Sequence, residues 1–269
     1  MMTADWQASI RWIAVDLDGT VLLPDKRISS YTLEILQTCR QKGLRLAVAT
    51  SRSEASSRRY LEQLRPDLVV SCGGALARKD GRVLYRRTMP ADQTDRLIAA
   101  AVRHPAVQEI MVDTPSGYLV NWSEPPRSAD YSHAIYRDFW EPVGEEVYKI
   151  TLKISDREAA EQLAAEHPAW RLLSFSGEDY YRFAHPQATK LEALEAAMQR
   201  EGLTASRVIA FGDDYNDQEM LMGCGCGVAM GNAVPAIQQI ADAVCADHLH
   251  DGVAHWLEDH WLSSTAHDR

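Results

Sequence analysis

Two aspartates one residue apart carry the sharpest chemical signal: Asp16-Leu17-Asp18-Gly19-Thr20 stands directly after the apolar run 12–15. Such a run reads as a buried strand, and in a doubly wound sheet ligands gather beyond the carboxyl ends of strands. Strand side chains alternate, so residues two apart project to one side, and Gly19 lets the chain turn at once. Carboxylates that close repel unless a cation lies between them, or one takes the acid role while the other stays ionised. Phosphoryl transfer to a carboxylate uses both devices: one aspartate attacks phosphorus, and its neighbour protonates the departing alkoxide and later deprotonates water. A bare Asp-x-Asp is more often a surface turn; the strand before it and its companions below reverse that order. A calcium loop needs Asp or Asn at the fifth position and Gly at the sixth, where this chain has Thr20 and Val21.

Three further groups share the same kind of place. Thr50-Ser51-Arg52 follows a second apolar run and precedes a helical pattern; a hydroxyl and free backbone N–H groups at a helix amino terminus suit an anion. Thr189 as helix cap puts Lys190 in the first turn, where the macrodipole disfavours a cation and a nearby anion would compensate. Gly212-Asp213-Asp214-Tyr215-Asn216-Asp217 ends another apolar run. Magnesium takes a few carboxylates plus substrate phosphate and waters, so Asp213 is placed to join Asp16 on one ion, with Asn216 and Asp217 on the following turn. Capping explains Asp214 and extends to Asp217, but not the whole acidic group. Cys224-x-Cys226 lacks a second ligand pair for zinc, and Gly223, Gly225 and Gly227 do not form a dinucleotide fingerprint. His133, His185, His248 and His250 have no nucleophile partner and read as surface or cap residues.

The elements that must position these groups follow βαβ grammar: strands at 11–15, 44–49 and 68–71, with helices at 30–42 and 53–64, the second opened by a Ser51-x-x-Glu54 capping box. The grammar returns with helix 190–200, strand 207–212, helix 216–222, strand 227–230, helix 234–241 and strand 243–245. Between these halves the rhythm changes. Helices at 92–103 and 157–166 and strands at 107–113, 118–121, 147–154, 170–175 and 180–184 flank a looser stretch, 124–146. Turns at Pro115-Ser116-Gly117 and Gly177-Glu178-Asp179 read as hairpins, predicting an antiparallel α+β insert. The expected organisation is an α/β core of residues 1–87 and 186–269, a Rossmann-like doubly wound parallel sheet, interrupted by an α+β cap over 88–185.

The bulk properties exclude several classes. With 269 residues, 46% hydrophobic and 25% charged, the chain is a globular protein of one core plus one accessory unit. A formal charge of -10 and the lack of basic runs argue against nucleic acid. Five cysteines, an odd set, and an amino terminus without a signal segment fit a reducing cytoplasm, and no apolar run approaches a membrane span. Asn121-Trp122-Ser123 is then a chance match to a glycosylation acceptor. Nothing in the sequence reads as an oligomeric state.

Taken in order, Asp16-Leu17-Asp18-Gly19-Thr20, Ala49-Thr50-Ser51-Arg52, Lys190 and Phe211-Gly212-Asp213-Asp214-Tyr215-Asn216-Asp217 resemble the four motifs of the haloacid dehalogenase superfamily. Gly227-Val228-Ala229-Met230-Gly231-Asn232-Ala233 and Asp251-Gly252-Val253-Ala254 resemble its Cof-type sugar-phosphate phosphatase branch. The resemblance covers nearly the whole core and implies a magnesium-dependent phosphatase of a small phosphorylated metabolite. By it Asp16 is the nucleophile and Asp18 the general acid/base. Asp16, the backbone carbonyl of Asp18, and Asp213 would hold Mg2+, with Asp217 orienting the surroundings of the metal. Thr50 and Lys190 would hold the phosphoryl oxygens with Asn216 assisting, and Ser51 and Arg52 would lie at the substrate. Two departures stand out: Ser51 where the branch usually has Gly, and Gly73-Gly74-Ala75 where it has Asn-Gly-Ala. Tyr180, Tyr181, Trp122, Arg127 and His133 of the insert could read the leaving group. A phosphomutase and a non-catalytic phosphometabolite-binding regulator are the alternatives, and hexose phosphates, pentose phosphates, pyridoxal phosphate and flavin mononucleotide all remain open as substrates.

Overall fold

The computed structural model describes residues 6–122 and 129–263. Arg127, one of the expected leaving-group readers, lies outside the described residues. In chain order the strands are β1 (Trp12–Val15), β2 (Arg45–Ala49), β3 (Leu68–Ser71), β4 (Leu76–Lys79), β5 (Arg82–Arg86), β6 (Val107–Asp113), β7 (Tyr118–Val120), β8 (Ile135–Tyr136), β9 (Lys149–Ile154), β10 (Arg171–Ser174), β11 (Tyr180–Ala184), β12 (Val208–Gly212), β13 (Cys226–Ala229) and β14 (Ala243–Val244). The helices are α1 (Trp6–Ser9), α2 (Ser30–Gln41), α3 (Glu54–Leu64), α4 (Ala91–Arg103), α5 (Arg157–Glu166), α6 (Lys190–Gln199), α7 (Gln218–Gly223), α8 (Pro235–Ile240) and α9 (Gly252–Leu257).

The larger sheet runs β14-β13-β12-β1-β2-β3-β4-β5. Its members from β14 to β3 are parallel, which requires crossovers, and the inner strands are mostly apolar because both faces are covered. All four residues of β1 and all five of β12 are buried. Each such large apolar side chain contributes about 1.5–3 kcal/mol. The sheet is not wholly parallel, however. β4 and β5 extend it as an antiparallel hairpin, whose tight turn is Asp80-Gly81, both with positive φ.

The smaller sheet, β10-β11-β9-β6-β7-β8, is antiparallel except for the β7–β8 pair. Alternation along β9 sends Ile150, Leu152 and Ile154 to an apolar cluster that includes Leu97 and Ile98 of α4 and Ala160 and Leu163 of α5. Lys149 and Thr151 point to the opposite face, yet both are buried. β8 and a 3-10 turn at Ala129–Tyr131 lie within the stretch read as loose, too short for periodicity to reveal. No helix among the described residues is long and apolar enough to cross a membrane.

Candidate active site

β1 lies between β12 and β2, so the chain leaves it in one direction and returns on the other side: a topological switch point. The three strands are parallel, so their carboxyl ends share one edge, where Asp16, Thr50 and Asp213 emerge. Because β1 ends at Val15, strand alternation does not orient Asp16 and Asp18; the tight turn after it does, with Thr20, Val21 and Leu22 all donating from the backbone to the Leu17 carbonyl. Gly19 is required there. Its φ is 73°, and an added Cβ would sit 2.1 Å from Asp213 Oδ2.

Thr189 caps α6 as expected, accepting from the Glu192 N–H at 3.1 Å, and Lys190 follows as its first residue. The lysine is not solvated. Only 2% exposed, its Nζ donates to Asp16 Oδ1 and to Asp217 Oδ1, each at 2.6 Å. Asp217 also accepts through Oδ2 from the backbone N–H groups of Asp213 and Asp214, closing a capping box with Asp214. Burial is the main cause that lifts Asp16 to about 7, opposed by Lys190 and reinforced by Asp217. Burial, then Asp217 and Asp16, lifts Asp213 to about 9. Lys190 moves upward: burial opposes the charged form, but the two aspartates outweigh it.

Carboxylate oxygens of Asp16, Asp213 and Asp217 lie within 4.8 Å of one another. Three acids with one ammonium form an oxygen-rich, electron-rich donor set that fits a hard divalent cation, and such an ion would hold Asp16 and Asp213 ionised. Both oxygens of Asp217 are already engaged, leaving Asp16 and Asp213 as the carboxylates open to a metal.

Asp18 stands apart from this cluster and is held differently. Arg52 forks onto it, Nε to Oδ2 at 2.6 Å and Nη2 to Oδ1 at 2.8 Å, while Lys26 Nζ donates to Oδ1 at 2.7 Å. Burial works against the ionised form, but these donors outweigh it and hold Asp18 at about 2. The arrangement described is therefore the base form. Arg52 also donates from Nη1 to Asp130 of the smaller unit at 2.8 Å, so its fork faces a core carboxylate and a cross-interface one.

Thr50 is buried, and its Oγ1 accepts from the Arg52 N–H at 3.1 Å. Ser51 is not the cap of α3: Ser53 takes that role, accepting from the Ser56 N–H, because it has the extended backbone a cap needs. Ser51 is freed to accept from Asn216 Nδ2 at 2.7 Å. Thr50, Ser51, Asn216, Lys190, Asp16, Asp213 and Asp217 thus come together at one rim, and Arg52 with Asp18 flanks it.

The smaller unit supplies residues that sequence reading missed. Lys149 Nζ donates to the Ser51 carbonyl at 2.7 Å, Asp130 receives Arg52, Arg59 and Tyr60, and Arg182 reaches Asn216. Gly73 is the one available signal: its bare α-carbon makes way for Arg182. Trp122 and Tyr180 gather with Met111, Tyr118 and Tyr131, and His133 lies 5.7 Å from the Tyr118 ring; the Tyr131 ring is 6.0 Å from the Arg52 guanidinium carbon. Tyr181 instead packs into the apolar core of the smaller unit, on the face turned away from that group.

The Rossmann-like sheet thus carries an acidic cluster and a buried lysine at its switch point, and the comparisons identify the class of protein. The haloacid dehalogenase-like hydrolase family matches residues 13–257. The chain belongs to that family and is an enzyme of its phosphatase class. It is 30% identical to a 5-amino-6-(5-phospho-D-ribitylamino)uracil phosphatase of Bacillus subtilis, across 93% of this chain and 97% of that one. It is 28% identical to a pyridoxal phosphate phosphatase of Escherichia coli, across 94% and 99% of the two chains. Its fold resembles that of a HAD subclass IIB sugar phosphatase with a TM-score of 0.82 at 23% identity, covering 93% of this chain and 98% of the other.

Proposed function

We propose that this phosphatase hydrolyses a small phosphorylated metabolite, with Mg2+, through an aspartyl-phosphate on Asp16. The observation that carries the reading is Lys190: a buried ammonium bridging Asp16 and Asp217 at 2.6 Å each, with Asp213 alongside. Asp16 Oδ1 is held by Lys190, which leaves its other oxygen as the nucleophile for in-line attack on phosphorus. Lys190, the Thr50 hydroxyl and the Asn216 amide offset the charge of the phosphoryl oxygens. Asp18, ionised under the Arg52 fork, is suited to deprotonate the water that opens the aspartyl-phosphate. Its earlier role as acid requires a proton that the fork opposes, so the Arg52–Asp18 pair must loosen when the leaving group departs. Mg2+ held by Asp16, Asp213 and the Asp18 carbonyl would supply further charge neutralisation at the transferring group. Residues 88–185 serve as the cap that selects the leaving group, and relatives that act on phosphorylated pyrimidine and pyridine compounds support a substrate of that size.

Asp16→Asn tests the reading. Released phosphate, scored across a panel of phosphorylated metabolites with Mg2+, is expected to fall by about 10^3-fold or more while the circular dichroism spectrum persists. Turnover near that of the parent would remove Asp16 from the nucleophile's role.

A further inference from the structure

Along β11, Tyr181 and Phe183 enter the apolar core of the smaller unit, so Arg182 between them projects from the other face. It is 2% exposed. A guanidinium taken out of water is costly unless carboxylates compensate it, yet among the described residues Arg182 makes only two hydrogen bonds, both from Nη1. One goes to Asn216 Oδ1 at 2.6 Å and the other to the Gly73 carbonyl at 3.4 Å, while Nε has no partner. Burial, and secondly Arg171, push its pKa down to about 10, which leaves it charged at neutral pH. The contact also depends on a missing side chain. A Cβ on Gly73 would lie 1.7 Å from Arg182 Nη1.

The consequence lies in the amide of Asn216. Oδ1 accepts from Arg182, so Nδ2 must face the other way, where it donates to Ser51 Oγ at 2.7 Å. An amide turned by half a rotation would present an acceptor to phosphoryl oxygens and repel them. A cation on the far side forbids that rotamer more strongly than a neutral donor would. We propose that Arg182 is a positioning residue for phosphoryl binding: carried in by the smaller unit through the space left at Gly73, it locks Asn216 with its N–H groups toward the phosphate side. This rests on the reading of Asn216 as a phosphoryl ligand. It makes the binding strength of the core dependent on a residue of the cap.

A double-mutant cycle tests it, with KM for a small phosphomonoester and the inhibition constant of inorganic phosphate as readouts. Arg182→Met and Asn216→Ala are each expected to raise both constants about tenfold, with the loss falling mainly on KM, and the double variant to lose no more than either single one. Losses that multiply to about a hundredfold, or an Arg182→Met enzyme with the parent's constants, overturn the proposal. Should Arg182→Met fail to fold, Arg182→Lys keeps a charged donor in place and is expected to stay within about threefold of the parent's KM; a KM as high as that of Asn216→Ala overturns it. An active Asp16→Asn enzyme would defeat the catalytic reading instead, and leaves these constants interpretable.

Discussion

At the scale of single residues, the site is an imbalance of charge. Burial holds Asp16 at about 7 and Asp213 at about 9, and one ammonium touches the cluster. A carboxylate whose folded pKa is raised binds more protons folded than unfolded, so its contribution to stability falls as pH climbs from the ordinary carboxylate range through the folded pKa. Magnesium takes only the ionised forms, so protons and metal compete and the metal should reverse that fall. The gain in melting temperature on adding Mg2+ is therefore expected to grow between about pH 5.5 and about pH 8.5. Thermal melts with and without the metal, on the parent and on Asp213→Asn, measure it. A gain equal at both ends, or larger in acid, would argue against Asp16 and Asp213 as the ligand pair.

At the scale of elements, the turn after β1 fixes how close two strand ends can come. Gly19→Ala forces a left-handed backbone on a side chain, costing about 1–2 kcal/mol, and aims a methyl group at Asp213. The Mg2+ concentration for half-maximal activity is expected to rise about tenfold while the fold survives; an unchanged requirement would show that Asp213 does not need that approach. The parallel order of β1, β2 and β3 was legible because buried strands read as continuous apolar runs, and the cap of α6 was legible because Thr189 stands at its boundary. The β4–β5 hairpin was not read, since Leu76 to Arg86 alternate weakly and carry four basic side chains (Arg78, Lys79, Arg82 and Arg86), although Asp80-Gly81 is a turn signal. At the site, the motif spacing pointed to Asp16, Lys190 and Asp213, whereas Asp130, Lys149 and Arg182 meet their partners only across the interface, and no local pattern encodes such distant pairs. Ser51 illustrates the limit in the other direction. Its local pattern suited a cap, but a long-range hydrogen bond with Asn216 claimed the hydroxyl.

At the scale of the whole molecule, the two units are pinned over the site by charge. The Asp130 side chain, 2% exposed, sits within 2.8 Å of Arg52 Nη1 and Tyr60 Oη and 2.7 Å of Arg59 Nε. Removing the charge by Asp130→Asn is expected to cost about 2 kcal/mol of interface stability. Faster amide exchange over α3 and the turn at Ala129–Tyr131 would record it, and exchange unchanged at both segments would mean that this cluster does not hold the units together. The chain itself supplies the second attachment. Leaving β11 just beyond Arg182, it passes directly to Thr189 and Lys190, and the Thr189 carbonyl packs so tightly against Gly74 that a Cβ there would fall 2.2 Å from its oxygen. This short connection, with a turn in which the Ala188 N–H donates to the His185 carbonyl at 2.8 Å, runs from the strand of the residue proposed to orient the amide to the helix that carries the ammonium. A graft that exchanged the smaller unit for another would have to preserve the length of that connection, or detune both anchoring groups at once.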